Sequence, residues 1–375
     1  MDEQSLRSFG QVINSLMAGE NLTRQMSREM FCEILAGRQP DIHQGAALAA
    51  LRMKGETAEE IAGCFEAIYD VDTNKGSIEG LQVVENCGTG MDSLKTFNIS
   101  TLSAIVSASL GVSLARHGAR AITSRCGTVD LCEALGVDVE CDVDMVCRSI
   151  ESSGLGLFNG MSPTVHPGGL GRILSQIRFG STLNIAASLA NPVLPRIGVR
   201  GVGSPEQIEP AINVMRQIGY QKAIVFHGFD RDGDRGMDEL STLGVSRLAI
   251  LKENGETEFQ EIRPEDVGLP RGNYEEIRPY GSVEEEAVDA VKTLAGRGNK
   301  SRTEIVALNT AVILWIVGKS SSLREGVDIA LKEIMSGKPL TKLLEWVRVQ
   351  NRNPDEGIGR VMTLSDKADI HYINH

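Results

Sequence analysis

No stretch of about eighteen uncharged apolar residues occurs in the chain, so a membrane-spanning helix is not expected. The N-terminus, MDEQSLRSFG, carries acids and lacks the apolar core of a secretory signal, which makes a soluble cytoplasmic protein the expectation. Basic residues are also in deficit: 38 Lys and Arg stand against 50 Asp and Glu, for a net charge of −12. A protein that holds nucleic acid through phosphate contacts runs the other way, so neither nucleic acid nor membrane is expected as a partner. A small anion is still open, because a few local cations and backbone N–H groups bind phosphate against an acidic background. The seven cysteines are odd in number and form no C-x-x-C pair. That excludes a zinc site of the usual spacing and a disulfide framework, and leaves small buried hydrophobes. There is no internal repeat and no low-complexity tract.

What remains is an ordinary globular composition, 41% hydrophobic and 23% charged, over 375 residues. That length suggests two units rather than one core. Residues 1–75 read as a helical domain. Leu6, Phe9, Val12, Ile13, Leu16 and Met17 recur at helical spacing, a second helix lies near Ser27–Ala36, and Asp41 can cap a third ending at Gly55. Thr57-x-x-Glu60 is a capping box opening a fourth helix. Beyond Gly76 the pattern changes to strand, loop, helix and strand, which predicts a parallel α/β sheet over 80–350. LQVVEN (81–86), VSLAR (112–116) and KAIVFHG (222–228) are the strand candidates, and RLAILKENGETEFQEI reads as a hairpin turning at Asn254-Gly255. Helices are predicted over 101–111, 207–219, 284–295, 303–317 and 323–335, with a helical return near 165–190. Residues 351–375, polar and weakly patterned, read as an exposed tail. The fold class expected is α/β: a small helical domain, a larger domain with a mostly parallel central sheet, and a substrate cleft between them.

Three loops carry candidate chemistry. The first is Cys87-Gly88-Thr89-Gly90-Met91-Asp92, followed by Thr96-Phe97-Asn98-Ile99-Ser100-Thr101. Glycines after a strand let an anion approach the backbone, and a Ser/Thr-rich helix start offers N–H groups and a favourable dipole to phosphate. The second is RHGARAITSRCGT (116–128), with three arginines in a net-acidic chain, which suits a clamp for pyrophosphate or ribose phosphate. The third is Gly236-Met237-Asp238-Glu239-Leu240-Ser241. A pyrophosphate substrate travels with Mg²⁺, which wants one or two carboxylates, and Asp238 and Glu239 are the best candidates.

Together these segments resemble the anthranilate phosphoribosyltransferase family. GTGMDSLKTFNIST is similar to that family's GTGGD…NIST loop, ARHGARAITSRCGTVDLCEALG to its KHGNR segment, and GMDELS to its acidic metal motif. The likeness spans about residues 5–347. It implies a helical module used for homodimerisation, Mg²⁺ as cofactor, and phosphoribosyl pyrophosphate and a small aromatic acceptor as substrates. Carried over position by position, Gly88, Met91, Asp92, Thr96, Asn98, Ile99, Ser100, Thr101, Arg116, Ser124 and Thr128 match donor contacts. Ser100, Asp238 and Glu239 match metal ligands. Gly88, His117, Ala119 and Arg178 fall in the acceptor site, with His166 a further neighbour of the acceptor. No general base is assigned, since a weakly basic aryl amine needs none.

The sequence also departs from the family. Met91 replaces the second glycine of the GG pair, Ala119 stands where the family has asparagine, and Arg116 replaces lysine. The segment 166–192 does not align without gaps, so the arginine that grips anthranilate's carboxylate is Arg172, Arg178 or absent. Anthranilate is therefore the lead acceptor, and another aromatic or heterocyclic nitrogen compound is the alternative. A nucleoside phosphorylase, which needs no metal for pyrophosphate, and a nucleic-acid-binding relative fit the retained GTG and Asp-Glu motifs less well.

Overall fold

The computed structural model describes residues 3–90, 92–120 and 126–371. Four helices come first: α1 (Glu3–Met17), α2 (Arg24–Leu35), α3 (Asp41–Lys54) and α4 (Ala58–Val71). Thr23 caps α2 by accepting Met26 N–H at 3.2 Å, and Thr57 and Glu60 form the expected capping box of α4. Asp41 does not cap α3. It is that helix's first residue, behind Pro40, where its charge still favours the N-terminal dipole. Glu60 is buried and also receives Leu22 N–H at 2.8 Å and the Lys54 ammonium at 2.9 Å, so one carboxylate ties three turns of chain together. Short helices at Gly169–Ile177 and Thr182–Ala187 return to this module. Their Leu170, Ile173, Leu183 and Ala186 share one core with Ile34, Leu48, Leu51 and Ile68.

The second module is built on one sheet of eight strands: β1 (Val83–Gly88), β2 (Ser113–Gly118), β3 (Leu155–Asn159), β4 (Ile197–Gly201), β5 (Lys222–Phe229), β6 (Gly236–Met237), β7 (Ser246–Leu251) and β8 (Thr257–Ile262). The order is β3-β2-β1-β4-β5-β7-β8, with β6 beside β5. Strands β3 to β5 along this path are parallel, and β5, β7 and β8 are antiparallel. The predicted hairpin is β7–β8, and Gly255 supplies its left-handed turn position at φ +83°. Val84, Leu114, Ile197, Val199 and Ile224 face α5 (Ile99–Ser109) and the helices Lys300–Ile316 and Leu323–Met335. Ala223, Val225, Ala249 and Leu251, on the other face, join the core of the helical module.

The chain runs outward from β1 through β2 to β3, then comes back to the other side of β1 for β4 and β5. That reversal opens a crevice beyond the carboxyl ends of β1 and β4, the place where open α/β sheets bind ligands. Gly88 and Gly201 end those two strands in register.

The exposed tail expected over 351–375 is not what forms. Pro354–Lys367 is a helix whose Val361 and Leu364, with Ala368 and Ile370 beyond it, are buried in the core of the sheet module. Ile358, Val361, Leu364 and Ala368 do recur at helical spacing, but the polar residues between them dilute the signal. Just before it, the buried Gln350 side chain bonds both Leu157 N–H and Leu157 C=O at 2.9 Å, acting as a neighbour to the edge strand β3.

Candidate active site

The glycine loop after β1 is shaped by an acidic residue from across the sheet. Thr89 N–H donates to Gly201 C=O at 3.1 Å, and Gly90, left-handed at φ +68°, donates its N–H to Asp238 Oδ2 at 2.7 Å. A Cβ at Gly88 would overlap the Asp238 carboxylate, and one at Gly201 would overlap the Asp238 backbone. Both glycines are thus required for residues 238–239 to lie over the ends of β1 and β4. Asn309 holds that segment from behind, accepting Leu240 N–H at 2.9 Å and donating to Leu240 C=O at 3.0 Å.

At the start of α5, Ser100 N–H donates to Glu239 Oε1 at 3.1 Å, a negative charge at a helix N-terminus. Arg116 lies directly beneath, only 2% exposed. Its three nitrogens donate to Asn86 Oδ1 at 3.0 Å, Thr101 Oγ1 at 2.8 Å and Ser100 Oγ at 3.1 Å. Asn86 in turn donates to Ser100 C=O at 2.9 Å. Arg116 therefore orients two hydroxyls and lends them its charge from below, rather than extending into the crevice. Asn98 donates to Cys126 C=O at 3.0 Å and so ties this loop to the segment ending at Thr128, the first residue of the helix Thr128–Ala134. Thr96 is half-buried and donates to Phe97 C=O, and Ile99 is buried as the first residue of α5. Met91 and Ser124 lie outside the described residues. Arg120 is spent on Glu133 at 2.8 Å and Asp130 at 3.2 Å. Lys95, which the sequence reading passed over, pairs with Asp92 at 2.8 Å and donates to Gly90 C=O at 3.0 Å.

Asp238 and Glu239 have backbone N–H groups as partners and, among the described residues, no ion-paired cation. Burial raises both carboxyls, and the nearby Asp92 charge adds to the effect, with Asp238 pushed up to about 6. Two buried carboxylates beside the Ser100 hydroxyl suit a hard divalent cation, which would restore their ionised forms. Mg²⁺ takes one or two carboxylates and completes its shell with water and phosphate oxygens, so this donor set fits it. Among the described residues no cluster of three or more His, Cys, Asp or Glu is placed to hold a metal without such outside ligands.

The opposite sheet face presents a different chemistry toward the helical module. His117 and His166 meet edge to face, with Nε2 atoms 3.3 Å apart, and His166 Nδ1 lies 2.7 Å from Asp72 C=O. Burial, His166 and the Arg200 charge push His117 down to about 3, and burial lowers His166, so both rings are neutral at pH 7. Ala119 is exposed at the rim, its C=O accepting Val129 N–H at 3.3 Å. Arg172 staples its helix to α2 and α3 through Asp41 at 3.2 Å, Gln44 at 3.3 Å and Ile34 C=O at 3.5 Å. Arg178 is exposed in a left-handed conformation, φ 54°, at the end of the same helix. The structure thus gathers Gly88, Asp92, Asn98, Ser100, Thr101, Arg116, Asp238 and Glu239 into one network, and His117 with His166 into another.

Sequence reasoning missed a buried group beside the histidines: Glu85, Asn191, Arg200 and Tyr220. Tyr220 O–H donates to Glu85 Oε2 at 2.5 Å, Asn191 donates to Glu85 Oε1 at 3.2 Å, and Arg200 lies 3.5 Å from Glu85. The available signal was a single charge inside each of two short apolar strands, VVENCG and IGVRG.

Comparison with known proteins places these features. The chain matches the glycosyl transferase family, a/b domain, over residues 80–340 and the glycosyl transferase family, helical bundle domain, over residues 10–71. It is 33% identical over 345 residues to the anthranilate phosphoribosyltransferase of Methanothermobacter thermautotrophicus, covering 90% of this chain and 97% of that protein. The enzyme of that name from Anaeromyxobacter dehalogenans is 35% identical over 337 residues, covering 89% and 96%. The crystal structure of anthranilate phosphoribosyltransferase from Thermus thermophilus superimposes with a TM-score of 0.81 at 30% identity, covering 90% of this chain and 99% of that one. The Saccharomyces cerevisiae enzyme in complex with phosphoribosyl pyrophosphate and Mg shares the fold, with a TM-score of 0.77 at 21% identity over 96% of this chain and 99% of that one.

Proposed function

This chain belongs to the anthranilate phosphoribosyltransferase family, and we propose that it transfers the 5-phosphoribosyl group of phosphoribosyl pyrophosphate to a small aromatic amine, with anthranilate as lead acceptor, as in tryptophan biosynthesis. The observation that carries this reading is the meeting of Asp238 and Glu239 with the Gly88–Gly90 loop and the start of α5 at the sheet's switch point. The acceptor nitrogen forms a bond to ribose C1 while the bond from C1 to pyrophosphate breaks, so negative charge grows on the leaving group. Asp238, Glu239 and Ser100 would hold Mg²⁺, which when bound would supply counter-charge to that pyrophosphate. The Ser100 and Thr101 hydroxyls, backed by Arg116, and the N–H groups of the α5 start hold the donor phosphates in place. His117 and His166, both neutral, face the acceptor amine and take no proton before the bond forms.

Pyrophosphate release on mixing the protein with anthranilate, phosphoribosyl pyrophosphate and Mg²⁺ tests the proposal. No release with any aromatic amine or azole would end it. Ala119 and the tying of Arg172 into the helical module favour the second reading, an acceptor of the same size without a carboxylate. The same acceptor panel distinguishes the two. A homodimer through the helical module is part of the proposal. Met17, Ile42 and Met53 leave apolar surface on α1 and α3, with Met53 87% exposed, and burying it against a second copy would remove it from water. Sedimentation at the mass of one chain would reject that part. A cytoplasmic location is part of the same proposal. No helix among the described residues is long and apolar enough to cross a membrane.

A further inference from the structure

Arg200 sits on β4 one residue before the strand ends at Gly201, in register with Cys87 on β1. Alternation along the strands puts it on the sheet face that carries Glu85 and His117, the face turned toward the helical module. The side chain is 3% exposed. Its Nη1 donates to Ser188 Oγ at 3.0 Å and its Nη2 to Ser188 C=O at 2.8 Å. Its Nε is buried and finds no acceptor among the described residues. Glu85, 3.5 Å away, also accepts from Tyr220 and Asn191, so it neutralises Arg200 only in part. The Ser188 backbone also bonds the His117 ring, and the Arg200 charge is felt there, so cation and imidazole share a partner at the end of the sheet.

The other arginines named for the acceptor side are placed differently. Arg172 is engaged on three oxygens of α2 and α3, and Arg178 projects from the surface at a helix end. A buried guanidinium with an unpaired N–H is an uncommon thing to leave in a folded chain, because each unsatisfied buried donor is costly. A carboxylate is the partner whose geometry and charge match it. Resting on the phosphoribosyl transfer proposed above, we propose that Arg200 reads an acidic group on the acceptor, its guanidinium taking the carboxylate while His117 and His166 face the amine. An aromatic amine with an adjacent carboxylate presents both groups at once.

The test compares anthranilate with 2-aminobenzamide, which keeps the ring and amine but replaces the carboxylate by a neutral amide. Pyrophosphate release is read at saturating phosphoribosyl pyrophosphate and Mg²⁺. The wild-type protein should prefer anthranilate by about ten- to a hundredfold in kcat/KM, the size of one charge-assisted contact. In Glu85→Gln/Arg200→Gln, which removes both buried charges so that neither is left alone, that ratio should fall toward one. A merely structural role would slow both acceptors in step. An unaltered ratio, or a ratio that collapses in Arg178→Ala instead, would overturn the assignment. Should the double variant not fold, Arg200→Lys keeps the charge and loses the planar fork, and the ratio should then drop at least about threefold. A wild-type protein that turns over both acceptors equally overturns the assignment without any variant. Absence of release with either acceptor would overturn this assignment, and only failure extended to the whole panel of aromatic amines and azoles would remove the transferase reading as well, a result distinct from release with an unchanged ratio.

Discussion

Asp238 and Glu239 differ from an ordinary acidic pair because the fold buries both side by side, with the Lys95 and Arg116 charges offsetting that burial only in part. Among the described residues their oxygens accept from the backbone N–H groups of Gly90 and Ser100, and burial raises both carboxyls. Asp238→Asn/Glu239→Gln keeps the shape and removes the charge, so Mg²⁺-dependent donor binding should weaken by at least about tenfold in calorimetry. Undiminished affinity would show that the metal is held elsewhere. His117 gives a second residue-scale prediction, this time about stability. Its folded value of about 3 lies below the unfolded value of about 6.5, so the unfolded chain binds the extra proton first. Stability from the neutral ring is therefore complete above about pH 6.5 and is lost as pH falls toward 3. Between pH 7.5 and pH 5 this residue alone should cost about 2 kcal/mol, and His117→Gln should flatten the denaturant-measured pH dependence by that order. An equally steep dependence in the variant would mean that other groups carry it. His166, lowered in the same direction, adds to the slope rather than opposing it.

Elements differ in how openly their residues announce them. The capping box at Thr57, the Asn254-Gly255 turn and the glycine loop after β1 each depend on neighbours a few positions apart, so local pattern sufficed for them. Strand β3, LGLFN, is buried throughout and shows no alternation, and β4 is five residues with an arginine inside. The candidate donor half could be picked out for the same reason as the turns, because most of it lies in two continuous motifs. The group of Glu85, Asn191, Arg200 and Tyr220 was not, because four separate segments meet only once the sheet has closed. The C-terminal helix Pro354–Lys367 was the clearest miss, and it touches the site indirectly. Arg352 pairs with Asp138, Asn351 donates to Gly136 C=O at 2.7 Å, and Arg360 donates to Glu133 C=O at 3.3 Å. These contacts brace the helix that begins at Thr128, next to the donor loop. Ending the chain after Gln350 should lower Tm and raise the KM for phosphoribosyl pyrophosphate on the order of tenfold, through misplacement rather than lost contact. Unchanged KM with lowered Tm would confine the helix to stability.

At the scale of the whole molecule, the two candidate half-sites have different owners. The donor network is made wholly by the sheet module: Gly90, Ser100, Thr101, Arg116, Asp238 and Glu239 all lie within it. The acceptor side is shared, because His166 belongs to the segment that returns to the helical module and is held there by Asp72. That aspartate follows α4 at the exit from the helical module, its N–H bonded to Ile68 C=O at 2.9 Å. Its carboxylate accepts the N–H of Gly168 and that of Leu170, the latter at 2.6 Å, and so fixes the start of the helix Gly169–Ile177. Its backbone carbonyl meets His166 Nδ1. A Cβ at Gly168 would overlap the carboxylate, so the approach needs glycine there. Asp72 is thus the joint through which the position of one module sets the geometry of the proposed acceptor side. Asp72→Asn offers one acceptor oxygen in place of two and turns an N–H toward a backbone N–H. The loss of a buried charge-assisted bond should cost about 1.5–3 kcal/mol in stability. Function should divide by module: the KM for the aromatic acceptor rises, while affinity for phosphoribosyl pyrophosphate, measured with Mg²⁺ by calorimetry, stays within about twofold of wild type, as expected for sites without shared partners. A parallel fall in donor affinity would mean that the sheet module does not hold the donor alone, and that the joint at Asp72 governs both halves of the cleft.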